Sequence, residues 1–184
     1  KKVLVIGAEK LSGVLDYRDR STSVLFGDGA GAAVYEASEG DAGVLAVDIG
    51  ADGGKGQTMV LKSMGTNGNV FESLLAEEMA LHFEGQAVFK IAVQGIAASV
   101  TRVLETAGFE SEEIDIVIPH QANARIVDAA TRLLKLDENK VFMNIDTLGN
   151  TGAASIPMAI SDALDAGEIN PGDLIVLSAF GGGV

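Results

Sequence analysis

Apolar and polar positions fall into short apolar runs separated by amphipathic stretches. The runs "KVLVIGAE" (residues 2–9) and "STSVLFGDGAGAAVYEA" (21–37) predict buried strands, the second interrupted by glycines, and "GVLAVDIGADG" (43–53) predicts a third. From about residue 54 to 69 the chain is polar and glycine-rich, which predicts a long loop. Val88, Phe89, Ala92, Val93, Ile96, Val100, Val103 and Leu104 then recur at helical spacing, with Gly108 placed to cap the helix. "IDIVIP" (114–119) predicts a strand, followed by a helix over 122–136, a short strand over 141–145, a helix over 151–166 and a closing strand "DLIVLSAF" (173–180). Alternating strands and helices call for right-handed crossovers, so the expected class is α/β with a largely parallel sheet covered on both faces.

Composition narrows the picture. With 47% hydrophobic residues in 184, the chain can bury one sizeable core. No apolar run reads as long enough to cross a bilayer, and "KKVLVIGAEK" lacks a long signal-peptide core, so a cytoplasmic protein is expected, with no membrane partner. The absence of Cys excludes disulfides, thiolate metal sites and a cysteine nucleophile within these residues. A formal charge of -13 disfavours nucleic acid and anionic lipid unless a local basic patch overcomes it.

In an open α/β sheet, ligands gather beyond the carboxyl ends of the strands, where helix N-termini point. His120 falls there after "IDIVIP", Asn150 lies in the loop "LGNTGAAS" before the next helix, and Gly181, Gly182 and Gly183 follow the last strand. A neutral His and an Asn can both donate hydrogen bonds to a developing enolate oxygen. Alternatively, the two side chains cap the helices that follow them, and pattern alone leaves both possibilities open.

In "FGDGAGAAV", Gly27, Gly29 and Ala32 fit a dinucleotide fingerprint, with Asp48 at ribose-contact distance along the chain. That fingerprint requires a full helix after the glycines, and "AAVYEASEGDAG" offers two turns at most. A glycine-pinched turn between two strands, with Asp28 bonding nearby backbone, is the better expectation. His82 has no companion at metal-ligand or base spacing and takes no role. Arg125, Arg132 and Lys135 form a stripe on the 122–136 helix, with Ile126, Ala129, Ala130, Leu133 and Leu134 left for the core; with Lys90 they are one of the few places where this acidic chain could attract an anion.

Five segments, "AEKLSGVLDYRDRSTSVLFGDGAGAAV", "EGQAVFK", "IPHQANARI", "GNTGAASIP" and "AFGGG", occur in this order over nearly the whole chain. Together they resemble the thiolase-fold condensing enzymes, most closely the β-ketoacyl-acyl-carrier-protein synthase III family. The resemblance implies a thiolase-like fold, layered α-β-α-β-α in the complete enzyme. Residues 1–37 would end its amino-terminal half, and residues 38–184 would form the carboxyl-terminal half up to its last strand.

The implied reaction moves an acyl group from acyl-coenzyme A to a cysteine. It then joins that group to malonyl-acyl-carrier-protein with loss of carbon dioxide, using no cofactor and no metal. By resemblance, His120 and Asn150 hold the thioester oxygen of malonate, and Gly182 donates an oxyanion-hole N–H. Gln86, Phe89, Ala122 and Asn123 surround the pantetheine arm, while Lys90 and Arg125, joined by Arg132 and Lys135 from the charge pattern, attract the acidic carrier protein. A homodimer is implied as well. The family's nucleophilic Cys lies upstream of Lys1 and a last strand follows the glycines, so the chain resembles a carboxyl-terminal fragment that would be inactive alone. Gly152 stands where many relatives have Ser, and Phe83 where Met is common. Two alternatives remain: a nucleophile-free structural or carrier-docking module, and a related condensing enzyme using another acyl thioester.

Overall fold

The computed structural model describes residues 1–40, 42–61 and 81–181. Strand β1 (Lys2–Lys10) pairs antiparallel with β2 (Asp28–Glu36), in register from Lys2 opposite Glu36 to Lys10 opposite Asp28. Between them, a 3-10 turn over Leu11–Val14 is tied to the start of β2, because the Asp28 carboxylate accepts from Ser12 N at 2.8 Å and Ser12 Oγ at 2.5 Å. The pair presents one face to helix α4 (Ser155–Asp165). The approach is close enough to require glycine: a Cβ on Gly31 would stand 2.8 Å from Pro157 Cβ, and one on Gly29 2.5 Å from Met158 Sδ.

The second part is built around β5 (Ile116–Pro119) and β6 (Ile175–Ser178), which pair in parallel. Every residue of β5 is buried, and its side chains alternate between two cores. Val117 packs with Ala92, Ile96 and Val100 of α1 (Gly85–Ala107) and Ile126 and Ala130 of α2 (Ala124–Leu134). Ile116 and Ile118 face Ala159 and Ala163 of α4. A side chain as enclosed as Ile118 contributes roughly 1.5–3 kcal/mol through the water it sheds. Gly108 ends α1 in the left-handed conformation, φ 79°, donating its N–H to Leu104 O, as its position in the sequence predicts.

Several expectations are corrected. Residues 43–50 form no regular element and pair with no strand among the described residues. Their tether is the Asp48 carboxylate, which accepts from Arg102 Nε at 3.0 Å and Nη2 at 2.7 Å, while Val47 and Ile49 remain exposed. The expected loop after residue 53 opens as a 3-10 turn over Gly53–Thr58, then forms β3 (Met59–Leu61), antiparallel to β4 (Leu81–Phe83); its residues 62–69 lie outside the described residues. The strand expected over 141–145 is a single parallel bridge from Val141 to Val117, followed by the short helix α3 (Ile145–Leu148).

Among the described residues, parallel pairing is therefore confined to β5 with β6, that bridge and a second single bridge from Phe26 to Asn150, and the strands are not covered on both faces throughout. Val3, Leu4, Val5 and Ile6 of β1 are each exposed by half or more, and because successive side chains point to opposite faces, both faces of this end of the strand are uncovered among the described residues. Leu133, expected in the core, is 57% exposed, and Thr131 takes the inward position. Helix α1, contrary to the sequence-based expectation, is long and apolar enough by length and composition to cross a membrane. Here Val88, Ala92, Ile96, Ala97, Val100 and Leu104 form its buried face.

Candidate active site

His120 leaves β5 still attached to the sheet: its N–H donates to Ser178 O at 2.7 Å, and its carbonyl accepts from Ala122 N at 2.9 Å as the chain turns toward α2. The next residue, Gln121, is 1% exposed and fully satisfied. Its Nε2 donates to Pro119 O and Phe142 O, and its Oε1 accepts from Asn144 N, so one buried carboxamide joins the end of β5 to the segment before α3. Asn144 Nδ2 in turn donates to Asp162 Oδ2 of α4 at 2.7 Å. The backbone that carries His120 is thereby held from both sides.

The imidazole Nδ1 lies 2.7 Å from Ser155 Oγ at the start of α4, which leaves Nε2 as the ring nitrogen available to the cavity that His120 lines. Burial pushes the pKa of His120 down to about 4, so the ring is neutral at pH 7. Asn150 is anchored in the same manner. Its N–H donates to Leu25 O, its carbonyl accepts from Gly27 N, and its side-chain Oδ1 accepts from Gly152 N at 3.0 Å. A backbone N–H can only donate, so that contact identifies the oxygen of the carboxamide and leaves the Nδ2 amide without a recorded partner among the described residues. In each residue the protein engages one side-chain polar atom, Nδ1 of His120 and Oδ1 of Asn150.

The capping alternative holds in part. Asn150 does accept from the 3-10 turn over Gly152–Ala154, whereas α2 is capped by Asn123, whose Oδ1 accepts from Arg125 N at 2.9 Å, and not by His120.

His120 and Asn150 line one cavity of about 1140 Å³. Gln86 and Phe89 reach it from the first turns of α1, and Ala122, Asn123 and Arg125 from the entry to α2, so these sequence-distant residues do meet. Lys90 follows Phe89 on α1 and is exposed. Arg132 and Lys135 do not line the cavity: they stand toward the far end of α2, about 10 and 15 Å along its axis from Arg125, and Arg132 faces Glu138 at 3.9 Å. Gly182 lies outside the described residues; Gly181 lines the cavity with φ 137°. Among the described residues no group of three or more His, Asp or Glu side chains could hold a metal ion.

Three contributors were not singled out from sequence. Ser155 and Gln121 hold the His120 loop, and Glu9 lines the cavity beside Gly152. Gly152 has φ 56°, and a Cβ there would stand 2.6 Å from Glu9 Cγ, so glycine at this position and the long side chain at Glu9 fit each other. The motif "FGDGAGAAV" is neither a cofactor loop nor a turn. Gly27 precedes β2 and Gly29 and Gly31 lie within it, no helix follows, and Asp48 is engaged by Arg102.

Residues 1–53 match the family model described as 3-oxoacyl-[acyl-carrier-protein (ACP)] synthase III, and residues 104–184 match the one described as its C terminal part. The chain is 44% identical over 184 residues to the beta-ketoacyl-[acyl-carrier-protein] synthase III of Campylobacter concisus (strain 13826), covering 100% of the chain and 55% of that protein. It is also 44% identical over 185 residues to the protein of that name from Caldanaerobacter subterraneus, covering 100% of the chain and 56% of the relative. The crystal structure of 3-oxoacyl-[acyl-carrier-protein] synthase III from Aquifex aeolicus VF5 superposes with a TM-score of 0.90 at 43% identity, over 100% of this chain and 55% of that one. The chain thus spans about half the length of the curated relatives it matches.

Proposed function

Since the chain belongs to the 3-oxoacyl-[acyl-carrier-protein] synthase III family, we propose that it supplies the enolate-stabilising half of an enzyme that condenses acyl-coenzyme A with malonyl-acyl-carrier-protein to start fatty acid synthesis. The observation that carries this reading is the pair of anchored donors, His120 and Asn150, in one cavity. The malonyl thioester oxygen sits between His120 Nε2–H and Asn150 Nδ2–H. As the bond to the carboxylate breaks, carbon dioxide leaves and its electron pair moves into an enolate whose negative oxygen those donors stabilise. The enolate carbon then attacks the acyl thioester on a cysteine, and the thiolate departs. A neutral imidazole suits this task, because it donates a hydrogen bond without giving up a proton, and burial keeps it neutral.

With no cysteine among 184 residues, the chain by itself has no thiol to hold the acyl group; that step belongs to a cysteine outside this sequence. Gly182 supplies an N–H to the oxyanion of the acyl step. Gln86, Phe89, Ala122 and Asn123 border the pantetheine arm, and Lys90 and Arg125 receive the carrier protein, with Arg132 and Lys135 extending the basic stripe. Residues 1–37 close the amino-terminal half of the fold and 38–184 make up the carboxyl-terminal half. The working enzyme is a cytoplasmic homodimer that needs no cofactor.

The test is to measure two steps separately in the enzyme that includes the cysteine. His120→Ala and Asn150→Ala should each lower malonyl decarboxylation by about 10²-fold or more while leaving cysteine acylation largely intact. An equal fall in both steps would remove the enolate role.

A further inference from the structure

The hydroxyl of Ser155 meets two polar partners: Gln121 N at 2.9 Å and His120 Nδ1 at 2.7 Å. Gln121 N–H can only donate, so it occupies one lone pair of Ser155 Oγ. The hydroxyl has one proton left to place, in a position where Ser155 is 2% exposed. Were His120 to carry its proton on Nδ1 and donate it to Oγ, the serine proton would be buried facing no acceptor among its recorded partners, which native interiors avoid. Donation from Ser155 Oγ to Nδ1 satisfies every group.

We propose that Ser155 is a positioning residue that accepts from Gln121 N–H and donates to His120 Nδ1, thereby locking His120 as the Nε2–H tautomer that the cavity requires. The chemical consequence rests on the enolate role proposed above; the tautomer assignment does not. Ser155 reaches His120 because the first residue of α4 lies against the end of β5, so the helix that buries Ile118 through Ala159 also sets the proton on the catalytic ring. The low pKa of His120 is consistent with a neutral ring whose Nδ1 accepts a bond.

Nitrogen-15 NMR of the histidine rings tests the assignment directly. In the enzyme that includes the cysteine, the ring signals lost in a His120→Asn variant identify those of His120. At pH 7 the wild-type ring should carry its proton on Nε2 with Nδ1 unprotonated; a proton on Nδ1 would overturn the proposal even if no Ser155 variant folded. Ser155→Ala should produce a mixed tautomer population and raise the pH at which His120 titrates, and Ser155→Thr, which keeps the hydroxyl, should restore the Nε2–H form. A Ser155→Ala ring still held wholly as Nε2–H would also overturn it. In the enzyme that includes the cysteine, Ser155→Ala should lower kcat for malonyl decarboxylation by roughly tenfold with little change in KM. If the Nε2–H tautomer were found but His120→Ala left decarboxylation unchanged, the enolate role would fall while the tautomer assignment stood.

Discussion

His120 is the point at which backbone geometry becomes chemistry. The ring is carried one residue past a strand buried at all four positions, so it sits where water is scarce and a positive charge is costly. That desolvation has a consequence for stability. In the unfolded chain the imidazole takes up a proton below about pH 6.5, but in the folded chain only near pH 4. The unfolded state therefore binds more protons between those values, and the native state loses stability as pH falls through that window. Between pH 7 and pH 5 the loss attributable to this one group should be about 2 kcal/mol, and urea unfolding at the two pH values should show it in the wild type but not in His120→Asn. Asp16, Asp28 and Asp48 have carboxyl groups held below their usual range by hydrogen bonds, first from Arg18, Ser12 and Arg102 respectively, so they titrate below this window.

Strand β2 and helix α4 meet through glycine, and that contact sets where the helix begins. Gly29 and Gly31 lack the Cβ that would strike Met158 or Pro157, so the helix can lie directly on the strand. Ser155 and Asn150 belong to the segment held in this way, and Asn150 is bonded to the chain just before β2 through Leu25 O and Gly27 N. A Gly31→Val substitution should cost about 1–3 kcal/mol through overpacking, read as a lowered urea midpoint with unchanged slope. Because the strain falls on the first turn of α4, malonyl decarboxylation should fall more than cysteine acylation. Helix α2 shows a comparable link between fold and site. Asn123 lines the cavity and also caps the helix, so Asn123→Ala should lose about 1 kcal/mol of stability in addition to any effect on substrate binding.

Over the whole molecule, a net charge of -13 sets a repulsive background for any acidic partner. Arg125 stands out against it. It is exposed at the cavity in the first turn of α2, where a cation opposes the helix dipole, and among the described residues it has no carboxylate partner. Its helix propensity is favourable but its place in the first turn is not, and the carrier-docking role proposed above would give an exposed cation there a use. In the enzyme that includes the cysteine, Arg125→Glu should lower kcat/KM for the carrier-bound substrate at low salt by about 1–3 kcal/mol and affect acyl-coenzyme A much less. Raising the ionic strength should shrink the difference, since exposed charges are screened. An equal, salt-insensitive loss on both substrates would place Arg125 in the coenzyme A channel or the fold. Arg132, facing Glu138 at the other end of α2, should give a smaller effect on both.

The helices and strands from Val88 to Phe180 other than the strand expected over 141–145, the cap at Gly108 and the placement of His120 and Asn150 near one edge were legible in the chain itself. Helical spacing and continuous apolar runs report burial directly, and five ordered segments carried the family resemblance. What strand pairing a run would adopt was not legible, because pairing is a contact between distant residues. The apolar run over 43–53 remained unpaired while Met59–Leu61, within an apparent loop, found a partner in Leu81–Phe83. The same limit applies at the site. His, Asn and Ser are visible as letters, but which nitrogen of His120 stays free depends on a 2.7 Å contact across 35 residues of chain, and which end of the Asn150 amide stays free depends on a backbone N–H two residues away. Composition and periodicity measure how often a side chain seeks burial; the direction in which a donor points is set only when separate segments are packed against one another.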